Sequence, residues 1–359
     1  MMDTRASPPM DPETLRVVIL SDAIPSRNGV GTYYDDLAHH LEGRVEAVSL
    51  LAPPANGSGD FRGIAIPMPG DPTQKLYFPS PLWLGRKIRD FRPNVIVSGT
   101  PGGYGFTGLA MAALLRTAFC IGYHTEYSEL AGLYWRQPFG KIYTLLLALW
   151  DRQMFRFGSV VLATNQALRD AALSGGAKEA RIMGTPTQIA FLKEPLRPFP
   201  TEIRTVTFAG RLAPEKEVVQ VLEAAASHPG LRFRVAGDGP LRETVEQRAA
   251  TLPNLEYVGW VPRDRVLSLL DETDLLVLPS RFETFGTVAF EAMIRGRLAL
   301  VSPNCGITRW PDLYPGLLVM EEGESLSKAL GRLKSRTAAE RVCVARQAFE
   351  RSRALSEDT

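Results

Sequence analysis

The chain has 359 residues, of which 45% are hydrophobic and 22% are charged, and its formal net charge is +2. Such a length predicts two domains, and such a composition excludes a protein that is disordered outside its termini. The small net charge argues against nucleic-acid binding, which depends on many cations that neutralise phosphates.

The sequence predicts no membrane-inserted segment. Residues 1–14 are polar and lack the apolar core of a signal peptide. The longest apolar runs, at 109–115 and 145–150, are far shorter than the about 20 residues that span a bilayer. The three cysteines include no Cys-x2-Cys pair, so we expect no zinc ribbon. We therefore expect a cytoplasmic protein.

The N-terminal half alternates strands with helices. A β-branched run at 15–20 predicts a buried parallel strand, a glycine-containing loop follows, and 32–41 shows helical spacing. Further strands are predicted at 45–51, 95–98, 119–123 and 160–163, and further helices at 82–91, 106–115, 138–155 and 166–173. Strand, glycine loop and helix in this order begin a doubly wound sheet.

Four prolines between residues 184 and 200 predict a linker. Beyond it, strands are predicted at 203–209, 231–236, 255–258, 274–278 and 298–301. We predict an α/β protein with an N-terminal Rossmann-like domain at 1–195, a C-terminal one at 196–335 and a helical tail at 336–359. The two domains are expected to face each other across a cleft that holds the ligand.

The segment from Arg281 to Glu291 contains an unusual carboxylate. Glu291 is the only charged residue between 284 and 294, and a helix that is apolar on nearly all sides is usually buried. A buried carboxylate needs hydrogen-bond donors. Ligand hydroxyls would serve, and a structural arginine is the alternative.

The loop before this helix offers further candidates. Glu283 could contact a ligand, although a loop carboxylate is ordinarily just solvated. Phe285, Gly286 and Thr287 place backbone N–H groups at a helix N-terminus, which favours an anion such as a diphosphate. A helix cap at Thr287 or Thr284 explains the same pattern without a ligand.

Two cations follow the first predicted strand of the C-terminal half. Arg211 and Lys216 are five residues apart, and such a pair can flank one phosphate group. The alternative is two surface cations, one of them paired with Glu215 or Glu217.

In the N-terminal half, Gly29 and Gly31 permit close approach of a ligand at the first strand-to-helix turn. The dinucleotide fingerprint is incomplete, since Tyr34 stands where its third glycine would be. Of the four histidines, only His124 lies in a predicted strand-to-helix loop on the cleft side. An ordinary turn and a structural histidine are the alternatives.

Taken together, these segments resemble the family 4 glycosyltransferases. The resemblance rests on four motifs in order and covers residues from about 15 to 305. The motifs are Asn28-Gly-Val-Gly-Thr32, Tyr123-His124-Thr125, Gly210-Arg-Leu-Ala-Pro-Glu-Lys216, and the glutamates at 283 and 291. It implies the GT-B fold and transfer of a sugar from a nucleotide-diphosphate sugar to a hydroxyl acceptor, with retention of anomeric configuration. The acceptor would be a glycan, a lipid or a small molecule, and neither a metal nor another cofactor is implied.

The resemblance also implies roles for single residues. Arg211 and Lys216 would bind the donor diphosphate and stabilise its charge as it leaves. Glu291 would accept hydrogen bonds from the ribose, while Glu283 and His124 would lie near the donor sugar. The other donor-binding residues it implies are Gly29, Gly31, Trp260, Val261, Phe285, Gly286 and Thr287.

Two other functions are compatible with this architecture: a nucleotide-sugar epimerase and a non-catalytic nucleotide-sugar-binding protein. Residues 302–307 depart from the family, which often has a double glycine and an acidic residue there. The stretch 134–157 mixes aromatic and basic residues, so it predicts either a helix that touches a membrane surface or a core helix with snorkelling cations.

Overall fold

A computed structural model describes residues 11–25, 29–54, 60–68, 71–100, 102–124 and 139–357. Asn28 and Thr125 of the motifs above, and the part of the aromatic stretch before residue 139, lie outside these ranges. The chain divides into unit 1, Met1–Ile66 and Leu76–Ile182, and unit 2, Pro67–Lys75 and Met183–Thr359.

Unit 1 contains a parallel sheet with the strand order β2-β1-β5-β6-β7-β8. Its strands are β1 (Arg16–Leu20), β2 (Ala47–Leu51), β5 (Val95–Ser98), β6 (Ala118–Tyr123), β7 (Val160–Ala163) and β8 (Ala180–Ile182), with β3 (Gly63–Met68) and β4 (Asp71–Pro79) forming a separate two-stranded sheet. The helices are α1 (Gly29–Leu41), α2 (Pro81–Phe91), α3 (Gly103–Leu115), α4 (Phe139–Phe157) and α5 (Gln166–Ser174), after a 3-10 turn at Pro12–Thr14.

Both faces of this sheet are covered. Val17 and Ile19 of β1 pack in one cluster with Tyr34 of α1. Val18 and Leu20 point to the other face and pack in a second cluster with α2 and α3. This alternation explains why β1 is a continuous apolar run, as expected for a parallel strand that is buried on both sides.

Unit 2 contains a second parallel sheet, with the order β11-β10-β9-β12-β13-β14. Its strands are β9 (Thr205–Ala209), β10 (Arg232–Ala236), β11 (Leu255–Gly259), β12 (Leu275–Leu278), β13 (Leu298–Val301) and β14 (Leu318–Val319). The helices are α6 (Ile189–Lys193), α7 (Val218–Ser227), α8 (Arg242–Thr251), α9 (Arg263–Asp271), α10 (Thr287–Ile294), α11 (Leu326–Lys334) and α12 (Ala338–Glu357), with 3-10 turns at Pro214–Lys216, Gly306–Arg309 and Tyr314–Gly316.

The strand order reverses once in each sheet, between β1 and β5 in unit 1 and between β9 and β12 in unit 2. At such a switch point, the loops after the two central strands run in opposite directions and leave a crevice where ligands bind in open α/β sheets. Every candidate residue except Trp260, Val261 and His124 lies in the loop or the helix that follows one of these four strands.

The ten predicted strands lie within two residues of the observed ones, whereas α1 and α3 begin three residues earlier than predicted, at Gly29 and Gly103. The short strands β8 and β14 and the β3–β4 pair were not predicted. Among the described residues, none of the helices combines the length and the apolarity that membrane crossing requires.

The predicted linker is packed onto unit 2. Residues 189–193 form α6, and the following carbonyl groups are held by two arginines at the end of α10. Arg295, with 0% of its surface exposed, donates to the carbonyl groups of Phe191, Glu194 and Pro195. Arg297 donates to those of residues 197 and 198. Residues 184–200 thus form a proline-rich strap. Its prolines lack backbone N–H donors, and its carbonyl oxygens accept hydrogen bonds from arginine side chains.

Candidate functional site

In unit 2, two loops leave neighbouring strands at the switch point. The loop after β9 contains Glu215, Lys216 and Glu217, and the loop after β12 contains Arg281 and Glu283. The N–H of Arg281 donates to the Glu215 carbonyl at 2.8 Å. Lys216 Nζ donates to Glu283 Oε2 at 2.5 Å, and Arg281 forms an ion pair with Glu217. One backbone and two side-chain contacts thus fasten the loops together.

Arg211 also carries a protein carboxylate as its counterion. Its Nη1 lies 3.2 Å from Glu215 Oε1, and its side chain is 21% exposed, against 19% for Lys216. Both predicted phosphate ligands therefore remain accessible to solvent. Partly exposed ion pairs are weak, so a diphosphate with its higher charge density can displace both carboxylates.

A glycine turn fixes the start of the Arg211 loop. Gly237 has a φ of +141°, and a Cβ there would lie 1.8 Å from the Gly210 carbonyl oxygen. The N–H of Leu212 donates to the Asp238 carbonyl at 2.9 Å. Only glycine at position 237 permits this close approach to the Gly210 carbonyl. The approach sets the direction in which the Arg211 loop leaves β9.

Gly286 stands immediately before α10 in the left-handed region, with a φ of +94°. A Cβ at this position would lie 2.8 Å from Cys305 Sγ. Gly286 has no side chain that could cap α10. The N–H groups of Ala289 and Phe290 donate to the Gly286 carbonyl, whereas helix geometry gives those of Thr287 and Val288 no intrahelical acceptor. The Phe285 ring packs against Phe290, 5.6 Å between centroids, so only its backbone can serve an anion.

Residues 305–307 pack against the loop that contains Glu283 and Phe285. The N–H of Gly306 donates to the Glu283 carbonyl at 2.8 Å, and that of Ile307 to the Phe285 carbonyl at 2.7 Å. Burial raises the pKa of the Cys305 thiol well above its usual range, so the thiol stays neutral. The segment that departs from the family pattern is therefore structural support for Glu283.

Glu291 is buried, with 2% of its surface exposed, and it forms an ion pair with Arg263 of α9. The structural arginine considered as an alternative is thus present. The Arg263 guanidinium also lies 5.4 Å from the centre of the Phe191 ring. A buried pair of this kind leaves the carboxylate ionised and oriented. A carboxylate has about four acceptor sites, so its pairing with one arginine does not exclude a ligand.

Trp260 and Val261 lie between β11 and α9, directly before the helix that carries Arg263. Trp260 is 53% exposed, whereas Val261 is half-buried. Tyr257 in the middle of β11 donates its hydroxyl to the Gly237 carbonyl at 3.1 Å. This hydrogen bond connects the strand before the predicted base-binding segment to the glycine that packs against Gly210, directly before Arg211.

In unit 1, His124 directly follows β6 and is buried, with 5% exposed. Its Nε2 lies 2.8 Å from the Tyr34 hydroxyl. The Tyr33 ring packs edge-on against the imidazole with 4.7 Å between centroids. Burial lowers the His124 pKa to about 3, so the ring is neutral at physiological pH.

Gly29 and Gly31 lie in the first turn of α1 and not in a loop, which corrects the predicted helix start at residue 32. Gly29 is exposed and Gly31 is buried. The nearby Asp22 follows β1 and accepts from the N–H groups of Gly102 and Tyr104 at 3.1 and 3.0 Å, which caps α3. Burial raises the Asp22 pKa to about 6.

Sequence reasoning missed Tyr34, Arg263 and Asp22. In the sequence, Tyr34 is notable only because it stands where a dinucleotide fingerprint has its third glycine. A signal for Arg263 was present, because a lone carboxylate in an apolar helix requires a cation nearby. Among the described residues, no group of three or more His, Cys, Asp or Glu side chains could hold a metal ion.

Two family models match the chain. Residues 27–187 match the model described as Glycosyltransferase Family 4, and residues 194–341 match the one described as Glycosyl transferases group 1. Together they span most of the chain.

The sequence is also similar to characterised proteins. It is 25% identical to sulfoquinovosyl transferase SQD2 of Arabidopsis thaliana over 64% of this chain and 46% of that protein. It is 32% identical to a GDP-mannose-dependent alpha-(1-6)-phosphatidylinositol dimannoside mannosyltransferase of Mycobacterium tuberculosis over 42% of this chain and 40% of that protein. The chain thus spans less than half the length of these two relatives.

Solved structures resemble the whole chain. Sucrose-phosphate synthase from Thermosynechococcus elongatus superposes with a TM-score of 0.70 at 16% identity, covering 94% of both chains. Anabaena HepE in complex with UDP-glucose superposes with a TM-score of 0.68 at 15% identity, covering 94% of this chain and 95% of that one. These likenesses confirm the predicted GT-B fold class with two Rossmann-like domains.

Proposed function

Because the chain belongs to the family 4 glycosyltransferases, we propose that it transfers a sugar from a nucleotide-diphosphate sugar to a hydroxyl acceptor. The observation that carries this proposal is the pair of cations at the unit 2 switch point. Arg211 and Lys216 are partly exposed, and each is held in place by a protein carboxylate. Such a site is arranged for a ligand with two negative groups.

Donor binding would begin with an exchange of partners. The diphosphate takes Arg211 from Glu215 and Lys216 from Glu283. Glu283 is then available to accept hydrogen bonds from the hydroxyls of the donor sugar. The N–H groups at the start of α10 add the positive end of a helix to the same site. As the glycosidic bond breaks, both cations stabilise the negative charge that develops on the leaving diphosphate.

The nucleoside would lie along α9 and α10. Glu291 accepts from the ribose hydroxyls while Arg263 keeps its carboxylate ionised and oriented. The base lies against the backbone of Trp260 and Val261. Because main-chain groups contact the base, the side chains of Trp260 and Val261 do not select between uracil, guanine and adenine.

For the chemical step, we propose retention of anomeric configuration through a front-face reaction. In it, an oxygen of the leaving diphosphate takes the proton of the acceptor hydroxyl, which attacks the anomeric carbon on the same face. His124 of unit 1 acts as a neutral hydrogen-bonding group toward the substrate.

We propose that the acceptor is lipid-linked and is reached at an anionic membrane surface. Helix α4 exposes Leu145, Leu149, Arg152 and Arg156 at helical spacing. Apolar and cationic side chains on one exposed stripe suit binding in the interfacial region of a bilayer. One relative is named for a phosphatidylinositol dimannoside, which is a glycolipid. Co-sedimentation with phosphatidylglycerol vesicles, but not with phosphatidylcholine vesicles, is the expected result.

The donor-binding claim is tested with a thermal-shift screen of UDP-, GDP- and ADP-sugars on the full chain. We expect one nucleotide series to raise the melting temperature and its sugar to be turned over with lipid acceptors. Stabilisation by none of them, in protein shown to be folded, would refute donor binding. Conversion of the donor sugar without acceptor indicates an epimerase, and binding without turnover indicates a non-catalytic protein.

A further inference from the structure

The Tyr34 side chain lies in a slot formed by two glycines of unit 1. It is buried, with 1% exposed. A Cβ on Gly99 would lie 2.2 Å from Tyr34 Cε2, and a Cβ on Gly122 would lie 1.6 Å from the Tyr34 hydroxyl oxygen. Any other residue at either position would collide with this ring.

The two glycines lie at matching positions of neighbouring strands. Ser98, the last residue of β5, pairs with Ile121 of β6, so Gly99 directly follows β5 and Gly122 lies within β6. A glycine inside a strand weakens it, since it adds backbone entropy and removes a packing side chain. Close approach of another group explains Gly122, and the same group, the Tyr34 ring, also lies against Gly99.

The slot places the Tyr34 hydroxyl beside the His124 imidazole. The hydroxyl oxygen lies 2.8 Å from His124 Nε2. The rings of Tyr33 and Tyr34 both meet the imidazole edge-on, with 4.7 and 5.1 Å between centroids. The imidazole is therefore held by two aromatic rings and one hydrogen bond.

We propose that Tyr34 is a positioning residue whose hydroxyl donates to His124 Nε2, which fixes the proton on Nδ1 and makes His124 an N–H donor to the substrate. A phenol donates its single proton readily, and a neutral imidazole has one nitrogen that accepts and one that donates. The Nδ1–H then has a fixed direction, and it can donate to an oxygen of a bound substrate. This inference rests on the proposed function.

The neutral state of His124 agrees with this role. Burial keeps its pKa far below neutrality, so the ring offers one donor and one acceptor and not two donors. With Nε2 occupied by Tyr34, His124 has no free lone pair in the ring. It is therefore a donor to substrate and not the base that removes the acceptor proton.

The test is Tyr34→Phe, which removes the hydroxyl and keeps the ring in its slot. Tyr104→Phe is the matched control: Tyr104 is also fully buried in unit 1, and its hydroxyl has no hydrogen-bond partner among the described residues. The first readout is the His124 tautomer, from ¹⁵N imidazole shifts at neutral pH without substrate, assigned with His124→Gln. We expect Nδ1–H in the wild type and in Tyr104→Phe, and a shift toward Nε2–H in Tyr34→Phe.

The second readout is steady-state transfer with the donor found in the thermal-shift screen. We expect kcat to fall three- to tenfold in Tyr34→Phe, with a smaller change in KM, as for the loss of one hydrogen bond. Gly122→Ala should reproduce the tautomer shift by pushing the hydroxyl away. A wild-type tautomer in Tyr34→Phe overturns the proposal, and so does a shifted tautomer with unchanged kcat. Failure of the proposed function gives a different result, because every nucleotide sugar then leaves the melting temperature unchanged while the tautomer still responds to Tyr34→Phe.

Discussion

The two units share a sheet topology, but their candidate residues differ in charge and burial. In unit 2, Arg211 and Lys216 lie beside the switch point, partly exposed and held by carboxylates that an anion can replace. In unit 1, His124 follows β6, one strand beyond the switch point, and it is neutral and fixed by a buried hydroxyl and two aromatic rings. Sheets of the same topology can therefore provide binding through exchangeable ion pairs or orientation through a buried hydrogen bond.

The largest effect should come from the buried ion pair between Arg263 and Glu291. Arg263→Leu removes the arginine that pairs with this buried carboxylate, and such a loss costs about 3–5 kcal/mol of unfolding free energy. Arg263→Leu combined with Glu291→Leu should recover most of that loss. Denaturant unfolding of the two single variants and the double variant measures the coupling.

No recovery in the double variant would mean that the pair is not what holds α9 and α10 together.

Lys216→Ala should weaken nucleotide-diphosphate binding by about 100-fold, which corresponds to about 3 kcal/mol for a charge-assisted hydrogen bond. Calorimetric titration of the nucleotide diphosphate measures it, and Lys328→Ala, an exposed lysine of the same unit, is the control. Affinity equal to that of the control would remove Lys216 from the site. Added salt should lower the affinity of the wild-type protein for the nucleotide diphosphate, because salt screens exposed charges. The His124 tautomer should stay unchanged, because it depends on a buried hydrogen bond.

Acid should destabilise unit 1 through His124. Its folded pKa of about 3 lies below the unfolded value of 6.5, so the unfolded state binds more protons between these values. This contribution is complete above pH 6.5 and is lost as the pH falls, by about 2 kcal/mol between pH 7 and 5. Asp22, whose folded pKa is raised, acts in the opposite sense.

The measurement is therefore the difference between the wild type and His124→Gln, in which Asp22 is unchanged. On going from pH 7 to pH 5, His124→Gln should gain about 2 kcal/mol of unfolding free energy relative to the wild type. Parallel pH profiles would show that His124 is not held neutral by its surroundings.

The smallest effect should come from Arg281→Ala. Arg281 is 71% exposed, and its pair with Glu217 is an ordinary surface ion pair. We expect a loss of under about 1 kcal/mol in unfolding free energy. A much larger loss, or a collapse of donor affinity as severe as in Lys216→Ala, would mean that the two loops are held by side-chain charges and not by their backbone hydrogen bond.

The sequence allowed the central strands to be predicted because each is a short apolar run bounded by turn residues. It did not reveal β8 or β14, since strands of two or three residues carry too little periodicity. Glu291 was recognisable as a buried charge, yet its partner Arg263 lies on another helix, and pairing across elements leaves no local pattern. Tyr34 was missed for the same reason, as its slot depends on glycines 65 and 88 residues away.

The anchoring of the proline-rich strap by Arg295 and Arg297 has a practical consequence for dissecting the chain. A fragment that starts at Met183 keeps all the carbonyl acceptors of both guanidinium groups, whereas one cut at the predicted boundary, residue 196, deletes those of Phe191, Glu194 and Pro195. The shorter fragment would bury donors without acceptors. Recombinant unit 2 for ligand screening should therefore begin at the strap and not after it.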